Sequence, residues 1–200
     1  MNINEDVIIN IKVDPEEDVV SEEHIKIAEE ILAGKDTIVL PLVVIEEKED
    51  EPIEKLEVKK IDIRALIGEM TIPQKIKAAM FGSAVARSLL INDKNRIIQE
   101  AVLKNPKMQL REVEAFAKNK STPSAVLKMI SASKDFSKYM SIKQNLVFNP
   151  KTPQEISMKW VRFLHMTDLK SLAKSKNIPG PLASVCMKLV KDHEKKVKGG

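Results

Sequence analysis

Two short segments of the chain end a helical pattern in the same way. Residues 102–107 read VLKNPK and residues 146–151 read LVFNPK, so an Asn-Pro-Lys step recurs after about 44 residues. Proline cannot continue a helix, because it lacks an N–H group and its ring meets the preceding turn. The ring also moves the preceding asparagine out of helical geometry. A repeat of this length is typical of units of two or three helices, which predicts an all-α chain of stacked helical hairpins.

A second recurring feature marks helix starts. A threonine stands one or two positions before a proline at Thr71, Thr122 and Thr152. Threonine is a good N-cap, and proline fits the first helical position because the N–H group there has no partner. We expect Thr122 and Thr152 to cap the helices that follow, with Glu155 completing a capping box at Thr152. Together with apolar periodicity, these signals predict helices over residues 61–69, 73–81, 83–91, 94–104, 110–118, 123–131, 139–148, 153–164, 167–174 and 181–192.

Charge divides the chain into two parts. Residues 1–60 hold 7 lysines and 18 acidic residues, a net charge of −11, whereas the rest of the chain holds 26 basic and 11 acidic residues, a net charge of +15. This split predicts an acidic, largely flexible arm over 1–60, a helical-repeat domain over 61–192 and a frayed basic tail over 193–200. Within the arm, capping signals predict a short helix over 22–33, and β-branched residues predict a strand over 37–45.

Two roles for the acidic arm remain open at this point. The arm could fold back on the basic domain and mask it from an acidic partner, because opposite charges raise the local concentration of the arm. It could equally serve only to keep the protein soluble, since runs of charge are usually solvated.

Composition excludes several kinds of site. With one cysteine, the chain cannot form an intramolecular disulfide, and a cysteine-based zinc or iron–sulfur site is not expected. Cys186 follows an apolar stripe and should be a small buried hydrophobe. The three histidines lack the i, i+4 spacing of a helical metal site, and no serine lies in a nucleophile elbow. The sequence therefore predicts a protein that is not an enzyme and that needs no cofactor or metal.

The sequence also predicts a cytoplasmic protein. No apolar run approaches the roughly 20 residues of a membrane span, and the acidic N-terminus lacks the basic region of a signal peptide. We therefore expect no membrane partner.

The one tryptophan lies among basic residues late in the chain. Packing between repeats accounts for a tryptophan on a helix, whereas a partly exposed ring would anchor a protein partner or stack on a base. A solenoid can gather residues of successive helices onto one surface. The candidate partner-binding residues are Lys159, Trp160, Arg162, Lys170 and Lys174.

Residues 93–106, DKNRIIQEAVLKNP, resemble a bacterial HEAT-like repeat, close to the leucine-rich-repeat-variant type. In those families an Asp-containing turn leads into a helix that ends in Asn-Pro, and a Thr-Pro or similar start opens the next helix. Residues 149–153, NPKTP, carry the same join. The resemblance covers about 61–190, although the repeat length is irregular and the cysteine cluster of some variant-repeat proteins is absent. It implies a right-handed α-solenoid that serves as a binding scaffold, with no catalytic residues; a compact helical bundle is the alternative.

These observations favour a non-enzymatic scaffold or adaptor that binds another protein through a helical-repeat surface. The alternative is a nucleic-acid-binding module, in which the basic helical domain contacts phosphates. A weaker third possibility is an enzyme whose site is assembled from dispersed residues.

Overall fold

The computed structural model describes residues 22–45, 63–175 and 177–198, and these residues form an all-α fold without strands. Every helix predicted after residue 60 is present, with bounds that differ by a few residues. A 3-10 helix, Val161–Phe163, lies between α11 and α12. The α-helices are α1 (Glu22–Leu32), α2 (Leu42–Ile45), α3 (Ile63–Glu69), α4 (Ile72–Phe81), α5 (Ala84–Leu90), α6 (Arg96–Leu103), α7 (Leu110–Lys118), α8 (Ser124–Ala132), α9 (Lys134–Ser137), α10 (Met140–Phe148), α11 (Gln154–Trp160), α12 (Met166–Lys174) and α13 (Gly180–Lys198).

The end of α13 differs from the prediction. The apolar stripe of this helix ends near Val190, but the helix continues past Asp192 to Lys198. Lysine and glutamate have high helix propensity, so the charged sequence after Asp192 continues the helix without an apolar face. The tail predicted to be frayed from 193 onward is therefore helical as far as Lys198.

The described part of the N-terminal arm packs into the core. The helix predicted over 22–33 is confirmed as α1, which lies against α4. The strand predicted over 37–45 is wrong: residues 37–41 are irregular and Leu42–Ile45 form α2. The apolar segment has no strand to pair with. It instead buries Leu40 and Val44 beside α4 and α5, where the Ser83 N–H donates to the Val44 carbonyl at 2.8 Å.

A salt bridge fastens the same segment to α4. Lys77 Nζ lies 2.6 Å from both Asp36 Oδ1 and the Ile38 carbonyl oxygen. This hydrogen bond from Lys77 lowers the pKa of Asp36. Residues 1–21 and 46–62 lie outside the described residues. Masking of the basic domain by the acidic arm therefore stays a prediction.

The described helices share one apolar core. α4 contacts α6 and α6 contacts α8, and α7 contacts α10. α11 and α12 continue the chain, and α13 packs along α12. The core is aliphatic as predicted, with Phe116 and Trp160 as its buried aromatic members, and Cys186 is fully buried.

The two Asn-Pro-Lys steps form the same hydrogen bonds. Asn105 Nδ2 donates to the Ala79 carbonyl at 2.9 Å, and Asn149 Nδ2 donates to the Ala117 carbonyl at 2.8 Å. In each step the asparagine Oδ1 accepts the N–H group two residues later. The accepting carbonyls lie in the last turns of α4 and α7, where helices leave carbonyls without partners. Each asparagine thus joins the end of its own helix to the end of an earlier, neighbouring helix.

The threonines have two different roles. Thr71 is the N-cap of α4, which begins one residue before the predicted start. Thr122 and Thr152 lie one residue too early, because the prolines after them take the N-cap positions of α8 and α11 without a side-chain cap. Thr122 Oγ1 donates backward to the Phe116 carbonyl at 2.8 Å. The prediction that both threonines cap the following helix is wrong, and so is the capping box of Thr152 with Glu155.

Candidate functional site

A lysine side chain lies between two aromatic rings where α10, α11 and the 3-10 helix meet. Lys143 Nζ is 5.1 Å from the Trp160 ring centroid and 5.3 Å from the Phe163 ring centroid. Lys159 Nζ is 4.6 Å from the Trp160 centroid. A cation within about 6 Å of a ring is attracted by the negative face of the ring. Lys143, Lys159, Trp160 and Phe163 are called the lysine–aromatic cluster below.

The 3-10 turn orients the cluster. Val161 and Leu164 are three positions apart, so a 3-10 helix places them on the same side, and both are buried. Phe163 therefore faces outward and is 57% exposed, whereas Trp160, the last residue of α11, is only 9% exposed. Their ring centroids are 5.8 Å apart with an interplanar angle of 53°, a separation within the range of favourable aromatic pairs.

The cations at this site form no ion pair with the described residues. Within the described parts of the chain, Lys143, Lys159 and Arg162 form no salt bridge. Carboxylates of two other helices bind neutral groups instead: Glu114 of α7 accepts from Ser141, and Asp168 of α12 accepts from Gln144 at 3.0 Å. The site therefore has cations beside an exposed aromatic ring that no described carboxylate pairs with.

Only some of the predicted site residues converge. Lys159 and Trp160 lie in the cluster, and Arg162 is exposed next to Phe163 in the 3-10 helix. Lys170 pairs instead with Glu194 of α13 at 3.4 Å. Lys174 is exposed at the end of α12, with no salt bridge to any described residue.

Two residues of the cluster, Lys143 and Phe163, were not predicted as site residues from the sequence. Lys143 belongs to an earlier helix and reaches the rings only through the packing of α10 on α11. Phe163 was visible as an aromatic residue near Trp160, but its exposure depends on the 3-10 turn. The apolar pair Val161 and Leu164, spaced three apart after Trp160, is the signal that could have indicated this turn.

A second charged group is buried inside the helical stack. Arg87 of α5 is 1% exposed and binds Glu112 of α7 through two hydrogen bonds of 2.8 Å. Its Nη1 also donates to the Gly82 carbonyl at 2.9 Å. Bidentate pairs of this kind are strong and directional. The pair joins two helices and leaves no face of the guanidinium open to a ligand.

The described residues offer no metal-binding group of three or more His, Cys, Asp or Glu side chains. Burial raises the pKa of the Cys186 thiol, which disfavours the nucleophilic thiolate. None of the helices in the described ranges is both long and apolar enough to cross a membrane.

Comparison of the chain with models of protein families, with curated proteins and with solved structures finds no match. Function is therefore inferred from the geometry and charge of the helices and of the lysine–aromatic cluster. Three features of the molecule bear on function. They are the hydrogen bonds of Asn105 and Asn149 between helix ends, called the asparagine joints below, the order of helix contacts and the exposed Phe163.

Proposed function

We propose that this chain is a non-enzymatic scaffold or adaptor, and that its helices form a HEAT-like α-solenoid that binds another protein. In a solenoid, each repeat contacts mainly its neighbours, and helices of successive repeats lie side by side. The contacts of α4 with α6 and of α6 with α8 fit one row of such helices. The contact of α7 with α10 fits a second row, and the two asparagine joints fit a repeated connection within each row.

Polar side chains connect successive helices of the second row. One pair joins α5 to α7, another joins α7 to α10, and a third joins α10 to α12. Such nearest-neighbour links support an extended stack more than a closed bundle, in which a later helix would return to an earlier one. The three pairs are Arg87 with Glu112, Ser141 with Glu114, and Gln144 with Asp168.

The exposed ring of Phe163 is the observation that carries the proposal for protein binding. A large aromatic side chain that is 57% exposed is costly to leave in water, and protein interfaces concentrate their binding energy in a few aromatic and arginine residues. The Phe163 ring packs near the Trp160 ring, and Lys143 Nζ lies 5.3 Å from its centroid. Because these neighbours restrict the ring, binding costs less side-chain entropy than it would for a free rotamer.

Nucleic-acid binding is the second candidate, favoured by the net charge of +15 over residues 61–200. Two features make it less suitable. The Trp160 ring is buried and unavailable for stacking on bases. Glu114 and Asp168 bind side chains of α10, the helix that carries Lys143, and would repel phosphates there.

Retention of partners by the immobilised full-length protein tests this proposal. Extract of the source cells is applied with and without nuclease, and the protein is washed at about 0.15 M and about 0.5 M salt. We expect a protein to be retained in near-stoichiometric amount at both salt concentrations, whether or not nuclease is added. The Val102→Asp variant, whose core should be disrupted, serves as the control bait and should not retain it.

Two outcomes would contradict the adaptor proposal. Retention of nucleic acid that is lost steeply as salt rises would favour the second candidate, because phosphate contacts release counterions. Retention of no protein beyond what the Val102→Asp bait holds would reject the scaffold.

A further inference from the structure

We propose that the lysine–aromatic cluster, together with Arg162, is the docking site for an acidic peptide segment that carries one apolar anchor residue. This inference rests on the proposed adaptor function and assigns it a surface and a class of partner. Two observations carry it: an exposed aromatic ring in contact with a buried one, and cations that form no salt bridge with any described residue.

The ring supplies the anchor point. Phe163 is the most exposed aromatic residue in the described part of the chain, and its ring lies against the buried Trp160. A leucine or aromatic side chain of a partner can cover this ring and remove apolar surface from water, which favours binding. Its contact with a buried ring makes it a suitable centre for a small interface.

The charges select an acidic partner. Lys143 and Lys159 lie over aromatic rings and Arg162 is exposed beside them, and none of the three forms a salt bridge within the described ranges. A partner carboxylate can therefore approach these cations without breaking an existing ion pair. Complementary charge of this kind raises association rates and excludes basic competitors.

The surroundings favour a short acidic peptide over a nucleic acid. Glu114 of α7 and Asp168 of α12 bind Ser141 and Gln144, which lie on the same helix as Lys143. A phosphate backbone along α10 would meet repulsion from these carboxylates, whereas a peptide can place its acidic residues only where the cations are. Base stacking would also need more than one exposed ring, and Trp160 is buried.

The test is selection of a displayed library of random peptides, about 12 residues long, on the full-length protein. An extended peptide of 12 residues spans up to about 40 Å, so each peptide can cover the cluster in several registers. We expect the enriched peptides to be acidic and to contain a leucine or an aromatic residue. The best of them is then synthesised with a fluorescent label, and its affinity is measured by anisotropy for the wild type and for variants.

Matched variants separate the site from the rest of the surface. Phe163→Ala should weaken the peptide at least tenfold, Phe163→Trp should restore most of the affinity, and Val85→Ala, at a residue that is 53% exposed on α5, should leave it unchanged. Lys143→Gln combined with Lys159→Gln should weaken binding about fivefold to tenfold at low salt and less at high salt. The control pair on α13 is Lys188→Gln combined with Lys191→Gln.

Several results would overturn the assignment. In the selection, such a result is enrichment of neutral or basic peptides, or enrichment of no peptide at all. In the affinity measurement, it is equal affinity of wild type and Phe163→Ala for the selected peptide. A third such result is tighter binding of a labelled oligouridine than of the peptide, if Phe163→Ala abolishes that binding. A wild-type dimer that Phe163→Ala converts to a monomer, measured by light scattering, would assign the surface to a second copy of the chain. If a partner from extract binds wild type and Phe163→Ala equally, the docking site is wrong while the adaptor function stands.

Discussion

Two cations on different helices of the molecule have opposite surroundings. Arg87 of α5 is 1% exposed, and Glu112 and a backbone carbonyl occupy its guanidinium. Lys143 of α10 is partly exposed, lies against two aromatic rings and forms no salt bridge within the described residues. The helices around Arg87, α4 to α7 (the Arg87 region), hold a buried charge that is paired internally. The helices around Lys143, from α10 to the 3-10 helix (the Lys143 region), hold a partly exposed lysine that no described carboxylate pairs with.

The backbone does not account for this difference. Both regions contain the same asparagine joint, at Asn105 in the first and at Asn149 in the second. The bond that Nδ2 donates to the earlier helix is 2.9 Å long at Asn105 and 2.8 Å at Asn149. The bond that Oδ1 accepts is 2.8 Å long at Asn105 and 3.0 Å at Asn149. The comparison teaches that a repeated helical connection can be kept constant while its surface residues change role. Substitutions in each region should therefore have distinguishable effects on stability and on binding.

The largest effect is expected from a charge placed in the core of the Arg87 region. Val102 of α6 is fully buried, so Val102→Asp should lower the free energy of unfolding by about 4 kcal/mol or more, enough to unfold a marginally stable domain. Lys104→Asp, two positions along, should cost less than about 1 kcal/mol, because Lys104 is exposed and loses only its pair with Glu100 at 2.7 Å. Thermal melts followed by circular dichroism measure both; equal melting temperatures would contradict the assigned inner face of α6.

The comparison itself is tested most directly by removing each cation. Arg87→Met should destabilise by about 3 kcal/mol, since it leaves the Glu112 carboxylate and the Gly82 carbonyl without their partner. Lys143→Met should change stability by less than about 0.5 kcal/mol. Urea unfolding curves with a common slope give both values. Similar losses in the two variants would show that Lys143 is as structural as Arg87.

A smaller and equal effect is expected from the two joints. Asn105→Ala and Asn149→Ala each remove a buried amide, 4% exposed, and leave one helix-end carbonyl unsatisfied. Each should therefore cost about 1–3 kcal/mol. Urea unfolding of the two variants checks this prediction. A loss confined to one variant would mean that the joint is structural in only one of the two regions.

The smallest effect concerns acid and the N-terminal segment that packs on the Arg87 region. Because the hydrogen bond from Lys77 lowers the pKa of Asp36, the folded state binds the Asp36 proton less tightly than the unfolded state does. The resulting stability is complete above the unfolded pKa, about 4, and is lost as the pH falls through the folded pKa. Between about pH 5 and pH 2, the free energy of unfolding should fall less for Asp36→Asn than for wild type. Parallel curves would show that the salt bridge is not formed in solution.

The sequence was sufficient where local chemistry decides the structure. Apolar periodicity and the prolines located the helices, and the Asn-Pro-Lys repeat indicated a shared joint, although its hydrogen bonds to an earlier helix were not foreseen. The predicted strand over 37–45 was wrong because β-branched residues can also be buried in an irregular segment and a short helix, here against α4 and α5. The predicted cap at Thr122 was wrong because its hydroxyl donates to the Phe116 carbonyl of the preceding helix.

The candidate site was only partly predictable, because it depends on tertiary packing. Trp160 and Lys159 stood out from composition and spacing, and they do lie together. Lys143 comes from another helix, and no local pattern links it to the rings. The residues around Arg87 in the sequence do not indicate that it is buried or that it pairs with Glu112, which is 25 residues away.

Hydrogen–deuterium exchange of the full-length protein tests the central claim most directly, namely that the stacked helices bind a partner at the lysine–aromatic cluster. Exchange is compared with and without the partner retained from extract or the selected acidic peptide. We predict slower exchange at the short 3-10 helix Val161–Phe163 and at α10 near Lys143, with α4 to α6 unchanged. Protection confined to α4 to α6 or to α13, with none at Val161–Phe163, would contradict the account.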